Sequence, residues 1–149
     1  MEVEKIDHLH IKTNNLKGTT SNYEGLLGRK FLFEADFSDL YGMKIAFNSF
    51  PLGIELMEVT DNSKEMGRMY AEAPEGIFAI SLKLPDIEKA TIDMESMGYK
   101  LLLRYDFGPI KEALFDTKKA LALYIELMEY PGESVESLLE EALPPGMKG

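Results

Sequence analysis

The pentapeptide Ile-Glu-Leu-Met-Glu occurs twice in the chain, at Ile54–Glu58 and at Ile125–Glu129, 71 residues apart. Each copy sets an acid, Glu55 or Glu126, inside a strand-like run with apolar neighbours. A carboxylate so placed has to be paired, hydrogen-bonded or bound to a cation, because a lone buried charge is too costly. The two histidines of the chain, His8 and His10, stand two positions apart in another strand-like run, so alternation turns both to one face. Two readings follow. In one, Glu55 and Glu126 form internal salt bridges with Lys12, Lys83 or Arg104, and the histidines are structural. In the other, acids and imidazoles share a cavity and make a site. Glu58 and Glu129, at strand ends, read as solvated, and Met57 and Met128 as core or cavity lining.

The elements that must position these residues repeat with the same offset. Ile6-Asp7-His8-Leu9-His10-Ile11 falls on Ile77-Phe78-Ala79-Ile80-Ser81-Leu82, and Leu16 falls on Ile87. Two long copies point to a pair of pseudo-symmetric half-domains rather than to a solenoid. Each half reads as β-α-β-β-β. The first has strands over 3–13, 29–36, 43–47 and 53–59 and a helix over 16–27, stopped by Gly28. Pro51-Leu52-Gly53 turns between its last two strands. The second has strands over 77–83, 100–105, 112–115 and 121–130. Its helix is capped by Asp86 and carries Ile87, Ala90, Thr91, Met94 and Met97 at helical spacing. Met66, Met69, Tyr70 and Ala73 mark a linking helix over 62–73. Ser134, Val135, Leu138, Leu139, Ala142 and Leu143 mark a terminal helix over 134–143. The expected organisation is one α+β domain over residues 1–149, with modules 4–60 and 76–131 whose mixed sheet encloses a cavity.

Composition narrows the function classes. At 149 residues and 45% hydrophobic, the chain can bury a real core. It has no cysteine, so disulfides and thiolate metal sites are excluded. A net charge of -10 argues against nucleic acid, whose binding rests on cationic side chains. The first residues lack the basic and apolar regions of a signal peptide, and no apolar run approaches the roughly 20 residues of a membrane span. A cytoplasmic location is therefore expected, with no membrane partner. No glycine-rich phosphate loop follows a strand, and no serine nucleophile stands in a recognisable context.

Two βαβββ modules, Ile6-Asp7-His8 on the first strand, Tyr23 and then Leu26-Leu27-Gly28 closing the first helix, and Ile-Glu-Leu ending each half resemble the vicinal oxygen chelate superfamily. Within it, the pattern is most similar to members of the methylmalonyl-CoA epimerase and glyoxalase I type. The resemblance spans residues 4–131. It implies a metal ligand from the first strand and from the last strand of each module: His8, Glu55 and Glu126, with a fourth where this chain has Ala79. His10 faces the same cavity and is the candidate to supply the missing nitrogen or to contact substrate. One or two imidazoles with two carboxylates suit a divalent ion such as Mn, Fe, Co, Ni or Zn, with positions open for substrate.

The function so implied is a metal-dependent lyase, isomerase or epimerase acting on a small carbonyl or hydroxy-carbonyl substrate. Its oxygens would be chelated, and the enolate stabilised by the ion. A carboxylate near the metal must move the proton, with Glu126 the first choice and Glu55 its pseudo-symmetric partner. The alternative is a metal-free binding protein of the bleomycin-resistance type, which sequesters a small ligand in an acidic cavity. A homodimer is expected in either case.

Overall fold

The structure is a computed structural model that describes residues 1–48, 52–135 and 138. Thirteen elements follow one another. The first half comprises β1 (Lys5–Lys12), α1 (Leu16–Leu27), β2 (Phe33–Phe37), α2 (Ser38–Tyr41), β3 (Met43–Asn48) and β4 (Ile54–Val59). After α3 (Glu65–Ala71) come β5 (Gly76–Lys83), α4 (Ile87–Ser96), β6 (Lys100–Phe107), β7 (Ile110–Asp116), α5 (Lys118–Leu121) and β8 (Tyr124–Glu129). The strands form one curled, eight-stranded half-barrel in the order β2-β3-β4-β1-β5-β8-β7-β6. The fold is α+β, as the sequence predicts.

The duplication is visible in the topology. Reading outward from the centre, one half gives β1, β4, β3, β2 and the other β5, β8, β7, β6. Each first strand runs parallel to its module's last strand, and the two first strands meet antiparallel at the centre. Local signals repeat at the same offset. The Asn15 side chain accepts from the Gly18 amide at the start of α1, and Asp86 accepts from the Lys89 amide at the start of α4. Such caps satisfy amides that have no partner inside the helix.

Glu58 and Glu129 depart from the solvated role expected of strand ends. The Leu16 amide donates to Glu58 at 3.0 Å and the Ile87 amide to Glu129 at 2.8 Å, so each acid joins the end of its strand to the start of its helix. A carboxylate there also meets the positive end of the helix dipole. The strand boundaries shift modestly. β2 begins at Phe33 rather than 29, β6 extends to Phe107, and β8 starts at Tyr124 because α5 occupies Lys118–Leu121. Two four-residue helices, α2 and α5, are too short to show a helical period.

Apolar side chains sort to two faces. The concave face holds the larger core, with Phe33, Phe47, Tyr70, Phe78, Leu114 and Met128 among its members. On the convex face, α4 packs Ile87, Ala90 and Met94 onto Phe115 and Leu127. α1 is less well seated: Thr20 is its one buried residue, and Leu26 is 80% exposed. The sheet's outer strands approach one another through aromatic rings. Phe37 at the end of β2 and Phe107 at the end of β6 have centroids 6.5 Å apart, and Tyr41 meets Tyr105 at 4.8 Å. Of the expected terminal helix, Val135 is buried and Leu138 packs on the concave core. Most of that segment, like Pro51 of the expected turn, lies outside the described residues. Among the described residues no helix is long and apolar enough to cross a membrane.

Candidate functional site

Register brings the predicted residues together. On the four central strands, His10 lies beside Glu55 of β4 and across from Ala79 of β5. His8 lies across from Ser81, which is beside Glu126 of β8. The site is therefore built from both modules, and the β5 side chains facing the imidazoles are small. Ala79, where the resemblance expects a ligand, carries only a methyl group beside the His10 ring. The rings of His8 and His10 stack with centroids 4.7 Å apart, and Phe47 closes against His8 edge-on.

The donor atoms converge. His10 Nε2 lies 3.2 Å from Glu126 Oε1, and His8 Nε2 lies 3.5 Å from Glu55 Oε2 and 3.9 Å from Glu126 Oε1. Ligand bonds of 2.0–2.2 Å put neighbouring donors on one ion about 3.0–3.5 Å apart. These separations fit a single divalent ion with small adjustment. His8, His10 and Glu126 form a group that could hold one, their donor atoms all within 4.8 Å of one another, and Glu55 borders it. The internal cations expected as alternative partners of the two acids are engaged elsewhere. Lys12 donates to the Ala71 and Ala73 carbonyls, Lys83 to the Gly132 carbonyl, and Arg104 to Asp106 and Glu88.

A second set of residues holds the first. His8 Nδ1 lies 2.8 Å from Asp7 Oδ2, so its N–H donates to the carboxylate and leaves Nε2 facing the cavity. The Tyr130 hydroxyl donates to the other oxygen of Asp7. Ser81 Oγ sits among the donors, 2.7 Å from His10 Nε2, 3.1 Å from His8 Nε2 and 2.5 Å from Glu126, to which it donates. Tyr70, whose ring stacks on Phe78, places its hydroxyl 3.3 Å from His10 Nδ1.

Nothing in the sequence marks Asp7, Tyr70 or Tyr130 as a partner of the histidines. Strict alternation would send Asp7 to the face opposite His8, but a register shift between Ile6 and His8 lets both be buried. Gly53 allows that irregularity. Its φ is 47°, and a Cβ there would lie 2.5 Å from the Asp7 carbonyl. Ser81 does carry a sequence signal, since it is His10 displaced by the 71-residue offset.

Electrostatics follow from burial and proximity. Burial alone would lower His10, but Glu126, Glu55 and the hydrogen bond to Glu126 outweigh it and raise His10 to about 9. Burial raises Glu126, yet His10, His8 and the hydrogen bonds from His10 and Ser81 bring it below the ordinary value. Glu55 has no such hydrogen bonds, and burial leaves it raised. Burial likewise raises Asp7, but His8, Tyr130 and Lys5 overcome it and lower the group. The site opens onto a cavity of about 60 Å³, room for a few waters or a small acyl group, lined by Met43, Ile45, Met57, Met128 and aromatic rings.

No protein-family model matches the chain, and no curated protein matches it. Solved structures do. Methylmalonyl-CoA epimerase of Streptomyces coelicolor, in complex with 2-nitronate-propionyl-CoA, superposes with a TM-score of 0.71 at 20% identity, over 88% of this chain and 100% of that one. The Mycobacterium tuberculosis methylmalonyl-CoA epimerase gives 0.71 at 22% identity, covering 87% and 90%. A hypothetical protein of Bacillus halodurans gives 0.72 at 24%, covering 87% and 96%. The chain has the fold of these methylmalonyl-CoA epimerase structures, the fold that the resemblance in the sequence implies.

Proposed function

We propose that the protein is a divalent-metal-dependent enzyme of the epimerase, isomerase or lyase type, acting on a small carbonyl compound through an enolate. The observation that carries this is the convergence of His8, His10, Glu126 and Glu55 on one point of a cavity otherwise lined mainly by methionines and aromatic rings. When bound there, a divalent ion supplies a Lewis acid for the charge that develops on a substrate oxygen. The residues of the chain do the rest. Asp7 and Tyr130 fix His8, and the Ser81 hydroxyl orients Glu126. Glu55 accepts no hydrogen bond among the described residues, its nearest partner being the His8 ring at 3.5 Å. It is the freer acid. Sequence reading ranks Glu126 first for moving the proton from the carbon beside the carbonyl; the hydrogen bonding favours Glu55, with Glu126 as partner. The surrounding methionines and rings exclude water from the carbanion.

The fold's likeness to epimerases of an acyl-CoA thioester makes methylmalonyl-CoA the first substrate to try. Protein loaded with Mn(II) or Co(II) in D₂O should exchange the C2 proton of methylmalonyl-CoA, or the C3 protons of a comparable 2-oxo acid, for deuterium. Glu55→Gln should reduce the rate by about a hundredfold or more. Exchange by the metal-free protein at the same rate would contradict the proposal, and ligand uptake without exchange or metal would favour the sequestering alternative. A homodimer is proposed on the superfamily's habit of pairing modules; a monomer mass by light scattering at micromolar concentration would refute it.

A further inference from the structure

Glu112 stands outside the cluster. On β7, Ile110, Glu112 and Leu114 alternate onto the concave face, while Ala113 and Phe115 turn to the helix side. Glu112 is thus an acid between two buried aliphatic residues of one row. Across the sheet its neighbours are Met128 of β8 and Tyr105 of β6. It lines the cavity with His8, His10, Glu55 and Glu126, and no lysine or arginine does so among the described residues. Among those residues Glu112 also makes no hydrogen bond and no ion pair. Burial, and then Glu126 and Glu55, push its carboxyl well above the usual range, which favours the protonated form. An unpartnered acid in an apolar wall lowers stability. Because β7 pairs Leu114 with Glu126, Glu112 stands diagonally from Glu126, about 7–8 Å away between backbones.

We propose that Glu112 is a substrate-contacting residue, giving a hydrogen bond from the β7 wall to a further oxygen of a small acid whose first oxygens lie at the histidine–glutamate cluster. The proposal rests on the reading of that cluster as an ion site. It narrows the substrate class to compounds with a chelating oxygen pair at one end and a carbonyl or carboxylate oxygen two or three carbons away.

Three acids of equal chain length test it: 2-oxopentanoate, with no further oxygen; 2,4-dioxopentanoate, with a ketone; and 2-oxoglutarate, with a second carboxylate. Their dissociation constants are measured by calorimetry on Co(II)-loaded protein. The unmutated protein should prefer one of the two oxygen-bearing acids over 2-oxopentanoate by about tenfold or more, and which one names the second group. Glu112→Leu should abolish that preference while leaving Co(II) uptake and 2-oxopentanoate binding unchanged. It should also raise the melting temperature of the metal-free protein by about 3 °C, because an unpartnered polar group is gone. Glu112→Gln, which keeps an N–H donor, should retain part of the preference. The proposal is overturned by a preference that survives Glu112→Leu, by equal binding of all three acids, or by a fall in melting temperature that marks a structural role. Failure of the unmutated protein to take up Co(II) overturns the ion-site reading first, and is seen before any Glu112 variant is made.

Discussion

His8 and His10 reach one point from a single strand because their partners across the β1–β5 seam, Ser81 and Ala79, are small. The imidazole missing from the second module is matched by a second one in the first. His8, Glu55 and Glu126 are legible in the sequence through the repeated pentapeptide and the superfamily pattern, and alternation adds His10. Asp7 is not, since its burial depends on a strand irregularity that no periodicity announces. By orienting His8, Asp7 should matter to metal affinity without touching the ion. Asp7→Asn should weaken Co(II) binding about 10- to 100-fold in a calorimetric titration. Proton linkage gives a second prediction. In the metal-free protein His10 is raised from 6.5 to about 9, so the folded chain holds a proton that the unfolded chain releases earlier. The stability this contributes is complete below about 6.5 and is lost as pH rises through about 9. Thermal melts of the metal-free protein should therefore fall between pH 6.5 and 9.5, and His10→Ala should flatten that decline. For the same reason metal uptake at neutral pH should release a proton, seen as a dependence of calorimetric heat on buffer ionisation enthalpy.

Among the elements, the longer helices and most strands can be read directly, because their stop and cap residues, and in α4 most of the apolar spacing, agree with where they end up. α1 spans the residues expected of it, and α4 begins after its Asp86 cap. What the sequence hides is the use made of strand ends. Glu58 and Glu129 look like surface acids, yet each accepts the first amide of its module's helix. That contact is long-range, 42 residues in each case, and leaves no local signature. Glu129→Ala should cost about 1 kcal/mol, lowering the melting temperature by roughly 2–4 °C, without altering Co(II) affinity. A loss of metal binding in that variant would show that the helix–strand junction and the site are coupled, contrary to this description. α2 and α5 are single turns, and their positions are set by Gly42 and Ala122 in the left-handed region after them rather than by any apolar stripe.

At the scale of the whole molecule, an old duplication has become one asymmetric site. The modules keep their topology, their helix caps and their matched glutamates, but the central positions have diverged: His8 and His10 in one half, Ala79 and Ser81 in the other. The sequence repeat shows that divergence plainly, whereas the seam that places His10 over Ala79 needs the antiparallel pairing of two strands 71 residues apart. In the proposed function this asymmetric set binds one catalytic divalent ion, with His10 among its ligands. Titration of metal-stripped protein with Co(II), followed by calorimetry and visible absorption, tests it most directly. The unmutated protein should take up one ion per chain, and His10→Ala should bind it about a hundredfold more weakly with an altered visible spectrum. Absence of uptake by the unmutated protein, or an unchanged affinity and spectrum in His10→Ala, would contradict it.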